Sequence, residues 1–371
     1  MSKIAVIGAS YLQLPLVKKA KDLGHEVFCF AWDKDAVCKE IADYFYPISI
    51  TEKEKILTFC ERIEIDGICT IASDVAAPTV AYVAEKMHLN SNTYESACKA
   101  NNKYLMRQVL EQAGVPCPKY KVITDLSQLF QREWHYPLIV KPSDRSGSLG
   151  VKKVENKKAL LSAVEEAISL SFKGEAMVEE FIEGREISVE FISYHGRHYP
   201  LQITDKVTTE APYFVELEHH QPADLSKELF STIYTLTEKA LSALGLTEGA
   251  SHSEFRITPD GNIVIMEIGG RMGGDFIGSD LVNLSTGYDF VKGVIQVALD
   301  RFEPPVLTVD RYSGIYFLSK EAERVFQYIK AWPMYPQIVK AQLTDPELHE
   351  IRSSSERSGY LIYSGDKKWE I

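Results

Sequence analysis

The 371-residue chain contains no G-x-x-x-x-G-K-[ST], no C-x-x-C, no unbroken apolar run of membrane-spanning length, no internal repeat and no surplus of positive charge. Each absence removes a class of function. Without the glycine-rich loop that ends in lysine, an ordinary P-loop NTPase is disfavoured. The six cysteines, Cys29, Cys38, Cys60, Cys69, Cys98 and Cys117, all fall in the first third and lack paired metal-ligand spacing, so they read as reduced, structural thiols. A transmembrane helix needs about 18 or more consecutive apolar residues, and "MSKIAVIGAS" lacks the basic head and cleavage site of a signal peptide, so the cytoplasm is the expected compartment. A formal net charge of -11 opposes general binding to nucleic acid or a membrane surface. Any anionic ligand must therefore meet a local basic pocket. With 45% hydrophobic and 25% charged residues, the chain reads as globular, with core enough for two or three domains.

Over the first hundred residues, short apolar strands ("KIAVIGA", "HEVFCFAW", "DGICTIAS") alternate with helical segments, one of them expected near 35–43. That rhythm predicts a parallel α/β sheet. Gly8 at the first strand-to-helix turn and Asp33 after the second strand raise a dinucleotide site, but "GASYLQ" lacks the second glycine that admits a pyrophosphate, which disfavours a nicotinamide dehydrogenase. Ser73 and Asp74 end the third full strand, where open sheets present ligand contacts; Asp74 reads equally well as a helix cap. A helix in "NNKYLMRQVLEQAGVPCPKY" stops at Gly114 and the prolines after it, and a domain boundary is placed near residue 100. From there to about 304 the chain mixes helices at 157–170 and 226–243 with strands joined by turn residues, which implies largely antiparallel sheet. Residues 305–371 read as a small α+β cap.

Three stretches carry chemistry. In "KPSDRSGSLGV", Lys141 precedes a loop of small residues whose backbone N–H groups can approach a phosphate closely; alone, the loop is equally a solvated turn. In "VEEFIEGREISVE", Glu179 and Glu186 flank an apolar Phe181-Ile182 turn suited to a purine and its ribose, or to a plain amphipathic strand pair. In "HSEFRITPDGNIVIMEIGGRMGG", Glu254 and Glu267 lie on two strands joined by a turn, so the carboxylates can face each other. Hard cations take such oxygens, and Mg²⁺ needs only one or two carboxylates beside phosphate oxygens. Arg271 follows Glu267 at a distance that lets a guanidinium reach a phosphoryl group or a carboxylate.

Together with "NNKYLMRQVLEQAGVP", "PLIVKPSDRSGSLGV", "MVEEFIEGREISVE" and the terminal "RSGYLIYSG", these stretches resemble the ATP-grasp superfamily of carboxylate-amine ligases over almost the whole chain. The resemblance implies an N-terminal parallel α/β pre-ATP-grasp domain (1–100), a central ATP-grasp domain with antiparallel sheets (101–304) and the C-terminal cap (305–371). It implies that Lys103 and Lys141 bind ATP phosphates and that the region of Ser146, Gly147, Ser148 and Gly150 closes over them. Glu179, Glu180, Phe181 and Ile182 would contact adenine, Glu186 the ribose, and Glu254 and Glu267 would hold Mg²⁺ or Mn²⁺. Arg271 would orient the reacting carboxylate, and His219, within "FVELEHHQPA", would approach the substrate.

One departure stands out: many members carry asparagine two residues after the second metal glutamate, where this chain has Gly269. The implied reaction makes an acyl phosphate and ADP from a small carboxylic acid and ATP, then an amide by attack of an amine. Two alternatives stay open, a purine-pathway-like enzyme that activates bicarbonate or formate and a nucleotide-binding module without turnover. The partners expected are small molecules, with a homodimer admissible.

Overall fold

A computed structural model describes residues 1–145, 149–209 and 213–371; the expected lid residues Ser146, Gly147 and Ser148 lie outside the described residues. The first sheet is formed by β1 (Lys3–Ile7), β2 (Glu26–Phe30), β3 (Tyr44–Tyr46) and β4 (Gly67–Cys69), all parallel in the order β3-β2-β1-β4. β1, β2 and β4 are buried, as strands of parallel sheets generally are, under α1 (Leu14–Asp22), α2 (Lys53–Ile63) and α3 (Ala77–Met87), while β3 forms a partly exposed edge. The helix expected near 35–43 is only a 3₁₀ turn, Val37–Glu40. Asp35 stands at φ +59 just before it, and Asp43 just after it accepts the Val27 N–H, so both ends are diverted from helical geometry.

Next come α4 (Tyr94–Asn101), α5 (Lys103–Gln112) and a second sheet of β5 (Tyr120–Ile123), β6 (Leu138–Pro142), β7 (Lys152–Val154) and β8 (Ala176–Glu180), antiparallel in the order β5-β8-β6-β7. Helix α6 (Lys157–Leu170) covers it through Leu160, Ala163, Val164 and Ala167, a 3.6-period stripe.

The third sheet has eight strands, β9 (Arg185–Tyr194), β10 (Arg197–Thr208), β11 (Glu216–Gln221), β12 (Gly249–Ile257), β13 (Ile263–Gly269), β14 (Tyr312–Leu318), β15 (Ile338–Leu343) and β16 (Gly359–Gly365). They run antiparallel in the order β13-β12-β9-β10-β11-β14-β16-β15, so the strands after residue 305 extend the central sheet. Its period-2 alternation sends Ile187, Val189, Ile203, Phe255 and Ile265 into a core shared with α5 and α7 (Lys227–Leu244). Glu186, Glu190, Lys206, His252 and Glu254 alternate with these and fall on the opposite face. Among the described residues no helix is long and apolar enough to cross a membrane.

Candidate active site

The polar face of the central sheet forms a floor of alternating charges. Glu254 on β12 lies in register with Glu267 on β13, as the hairpin reading predicts, and with Ser188 on β9. Each glutamate already has an ammonium partner. Lys103 Nζ is 2.8 Å from Glu267 Oε1 and donates to the Arg145 carbonyl at 2.9 Å. Lys206 Nζ is 2.8 Å from Glu254, 3.0 Å from Glu186 and 3.6 Å from Glu216. Burial works against the charge of Lys206, but the three carboxylates outweigh it and hold its pKa well above the ordinary lysine value. Burial likewise opposes the Glu254 carboxylate, and Lys206 and His252 together keep it well below the ordinary range.

A second cluster lies under the other lysine. Glu179 is buried, and its carboxylate is held between Lys141 Nζ at 2.5 Å and Arg107 Nε at 2.8 Å. Arg107, fully buried on α5, also donates to the Met266 carbonyl at 2.5 Å, tying α5, β8 and β13 together. The Glu179 side chain thus fixes Lys141 in place. Of the remaining residues expected at adenine, the Glu180 N–H is given to the Lys119 carbonyl and that of Phe181 to the Pro137 carbonyl, while the Ile182 carbonyl accepts from Arg256 Nη1 at 2.8 Å. The Phe181 ring lies under Lys153 Nζ, 4.3 Å from its centroid. Glu186, expected at the ribose, is shared by Lys206 and Arg256. Gly150 turns at φ +72 with Leu170 so close that a Cβ would come within 2.7 Å of it.

His219 points to the same floor from β11, opposite Lys206, with its ring edge-on to Phe317 and its buried Nδ1 without a partner. Burial first, then Lys206 and Arg357, keep it neutral, well below the usual histidine pKa. Its neighbour His220 faces away, bonded to Tyr363 and Glu218. Arg271 Nε and Nη2 bind the two carboxylate oxygens of Asp74 at 2.8 and 2.7 Å, across the boundary with the N-terminal sheet. The cap reading of Asp74 is thereby corrected: α3 begins after Ala76 with no side-chain cap.

Sequence reasoning did not single out Lys206, Arg107, Glu190, His252 or Arg357. Glu190 bonds His252 and accepts the Gly273 N–H at 2.9 Å, and His252 Nε2 lies 3.3 Å from Glu254. Arg357 reaches from the C-terminal segment to Asp275 at 2.7 Å and stacks on Phe317.

The donor set fits a hard divalent cation bound together with phosphate. Two carboxylates face each other, and the buried Ser188 hydroxyl, opposite Glu254, has no partner. Among the described residues no group of three or more His, Cys, Asp or Glu could hold a metal by itself.

The profile of a family described as "ATP-grasp domain" matches residues 134–280. The chain is 28% identical to alanine–anticapsin ligase of Bacillus subtilis over 278 residues, 65% of this chain and 58% of that protein. It is 31% identical to D-alanine–D-alanine ligase of Geotalea uraniireducens over 175 residues, 46% and 55% of the two chains. The chain therefore spans less than two thirds of the length of these curated relatives. Among solved structures, L-amino acid ligase from Bacillus licheniformis aligns with a TM-score of 0.83 at 23% identity, covering 99% of this chain and 94% of that one. N5-carboxyaminoimidazole synthetase from Staphylococcus aureus, complexed with ADP, aligns at 0.80 and 15%, with 99% and 94% covered. Residues 134–280 thus match an ATP-grasp domain, and the chain as a whole shares the fold of these solved structures.

Proposed function

We propose that the protein is an ATP-dependent, ADP-forming ligase that activates a small carboxylic acid as an acyl phosphate and joins it to an amine. One observation carries the reading: each of the two facing glutamates, Glu254 and Glu267, is held by a lysine of the type that binds phosphate. Without nucleotide the site balances its own charges. Glu254 and Glu267 would hold the cation of a metal–triphosphate, and Lys103 and Lys206 would be the ammonium groups available to its phosphate oxygens, so that no buried charge need lose a partner. Bound there, Mg²⁺ supplies charge neutralisation on the transferring phosphoryl group.

The chain's own residues do the remaining work. Lys141 is set in place by Glu179 and Arg107 and offers its free donors to the triphosphate. Arg271, anchored on one edge, presents its other edge to a carboxylate or to the charge that develops on it. His219 is kept neutral, so its buried nitrogen, unpartnered among the described residues, can accept a hydrogen bond from a substrate or an attacking amine. Transfer of the phosphoryl group goes directly to the substrate carboxylate. The amino-acid ligases among the relatives support an amino acid as one of the two substrates.

The reading is tested by ADP release from ATP in the presence of amino acids, singly and pooled, with and without Mg²⁺. Metal-dependent release stimulated by one of them is expected. Tight nucleotide binding without release under any condition would instead favour the non-catalytic module.

A further inference from the structure

We infer that Asp74, supplied by the N-terminal domain, is a positioning residue for Arg271, and that Gly269 is the vacancy this arrangement requires. The inference rests on the ligase reading only for the meaning of Arg271; the geometry stands without it.

Asp74 lies in the loop between β4 and α3, and this loop is fastened at several points. Thr70 Oγ1 donates to the Ile7 carbonyl at 2.7 Å, Gln13 Nε2 to the Ile71 carbonyl at 2.8 Å, and the Ala72 N–H to the Met272 carbonyl at 3.2 Å. The last contact docks the loop on the segment that carries Arg271. Both oxygens of Asp74 are then taken by Nε and Nη2, a fork-on-fork pairing that fixes the plane of the guanidinium as well as its place. The other edge, Nη1 with the second hydrogen of Nη2, meets among the described residues only a long contact to the Met272 carbonyl at 3.3 Å. An arginine held by one edge offers the other in a set orientation, and a planar carboxylate or phosphoryl group needs that orientation.

Gly269 completes the arrangement. It lies on β13 two residues after Glu267, on the same face. A Cβ at this position would stand 2.6 Å from Asp74 Oδ1 and 3.2 Å from Arg271 Nε. A side chain at 269 and the Asp74–Arg271 pair therefore exclude one another. The glycine leaves room for a carboxylate from the N-terminal domain, 197 residues from Arg271 in sequence. The N-terminal domain, which lacks the glycine pattern of a dinucleotide site, thus contributes a charge to the reaction centre of its neighbour.

Three measurements on the full chain test this. In ¹⁵N-arginine-labelled protein, with the resonance assigned by its loss in Arg271→Lys, the Arg271 Nε–H is expected to exchange with solvent at least about tenfold faster in Asp74→Asn than in wild type, as befits loss of a charge-assisted bond. With the amino acid that stimulates ADP release in wild type, Asp74→Asn is expected to lower kcat about 100-fold while KM for ATP stays within about twofold, the pattern of a misplaced group and not of a damaged nucleotide pocket. In thermal unfolding, Gly269→Asn is expected to be less stable than the double variant Asp74→Ala/Gly269→Asn, because the clash disappears with the carboxylate. Equal exchange rates in wild type and Asp74→Asn, an unchanged kcat, or a Gly269→Asn protein as stable as wild type would each overturn the inference. If wild type releases no ADP with any amino acid, the ligase reading fails, and the exchange and unfolding measurements still decide the pairing.

Discussion

Lys206 Nζ lies 2.8 Å from Oε1 of Glu254, and Glu254 stands directly across from Glu267, whose own oxygen holds Lys103 at 2.8 Å. The two carboxylates suited to a metal and two ammonium groups suited to phosphate thus form one charge-matched lattice. On the proposed reading, binding of a metal–triphosphate would exchange partners within it and create no uncompensated charge.

The first prediction concerns the metal side of that exchange. Glu267→Gln removes a carboxylate charge at the position of the cation and leaves the stretch around Phe181 intact. ATP turnover is expected to fall at least about 100-fold, while ADP affinity in the absence of metal changes only a few-fold. Turnover assays and metal-free ADP titration check the two halves. Near-normal turnover would contradict the metal assignment of Glu267.

A second prediction follows from the cluster beneath Lys141. Glu179→Gln leaves Lys141 and Arg107 buried beside each other without their shared carboxylate. Removing one member of such a buried pair costs about 3–5 kcal/mol. Urea unfolding should report a loss of that order, against no resolvable change for Glu95→Gln at the exposed Lys99–Glu95 pair.

How far the sequence disclosed this site depends on the separation of partners. Glu254 and Glu267 were legible because a short turn joins their strands and because Glu267 interrupts an apolar run. Lys141 was legible from the loop that follows it. Arg107 and Lys206 were not, because their partners lie 72, 159 and 48 positions away and each residue sits in an ordinary helix or strand pattern. Asp74 was noticed for its place at a strand end, yet only the folded chain shows that its partner is Arg271 and not the helix beside it. The parallel first sheet and the antiparallel remainder followed from strand rhythm. That β14 to β16 join the central sheet did not follow, since edge pairing over such a separation leaves no local signal.

The third prediction is a stability profile with two limbs of opposite sign. Burial lowers the pKa of His252, but Glu190 outweighs it and raises the value from 6.5 to about 9. A raised folded pKa stabilises fully below the unfolded value and is lost as pH climbs through the folded one, here between 6.5 and about 9, a change of roughly 3 kcal/mol. His219 acts in the other direction. Its pKa is held well below 6.5, so the unfolded chain takes up a proton that the native chain refuses, and stability falls as pH drops below 6.5. Urea midpoints measured across pH should therefore peak near neutrality, with His252→Gln flattening the alkaline limb and His219→Phe the acid limb. An alkaline limb unchanged in His252→Gln would remove the buried Glu190–His252 pair from the account.

The most direct test asks whether an acyl phosphate forms. Purified protein is given ATP, Mg²⁺ and pooled amino acids and other small carboxylic acids, with hydroxylamine as the trapping amine, and the products are read by mass spectrometry. The account predicts ADP, phosphate and the hydroxamate of one acid, with all three lost in Glu267→Gln. Release of AMP and pyrophosphate, or a phosphorylated substrate with no hydroxamate, would contradict it.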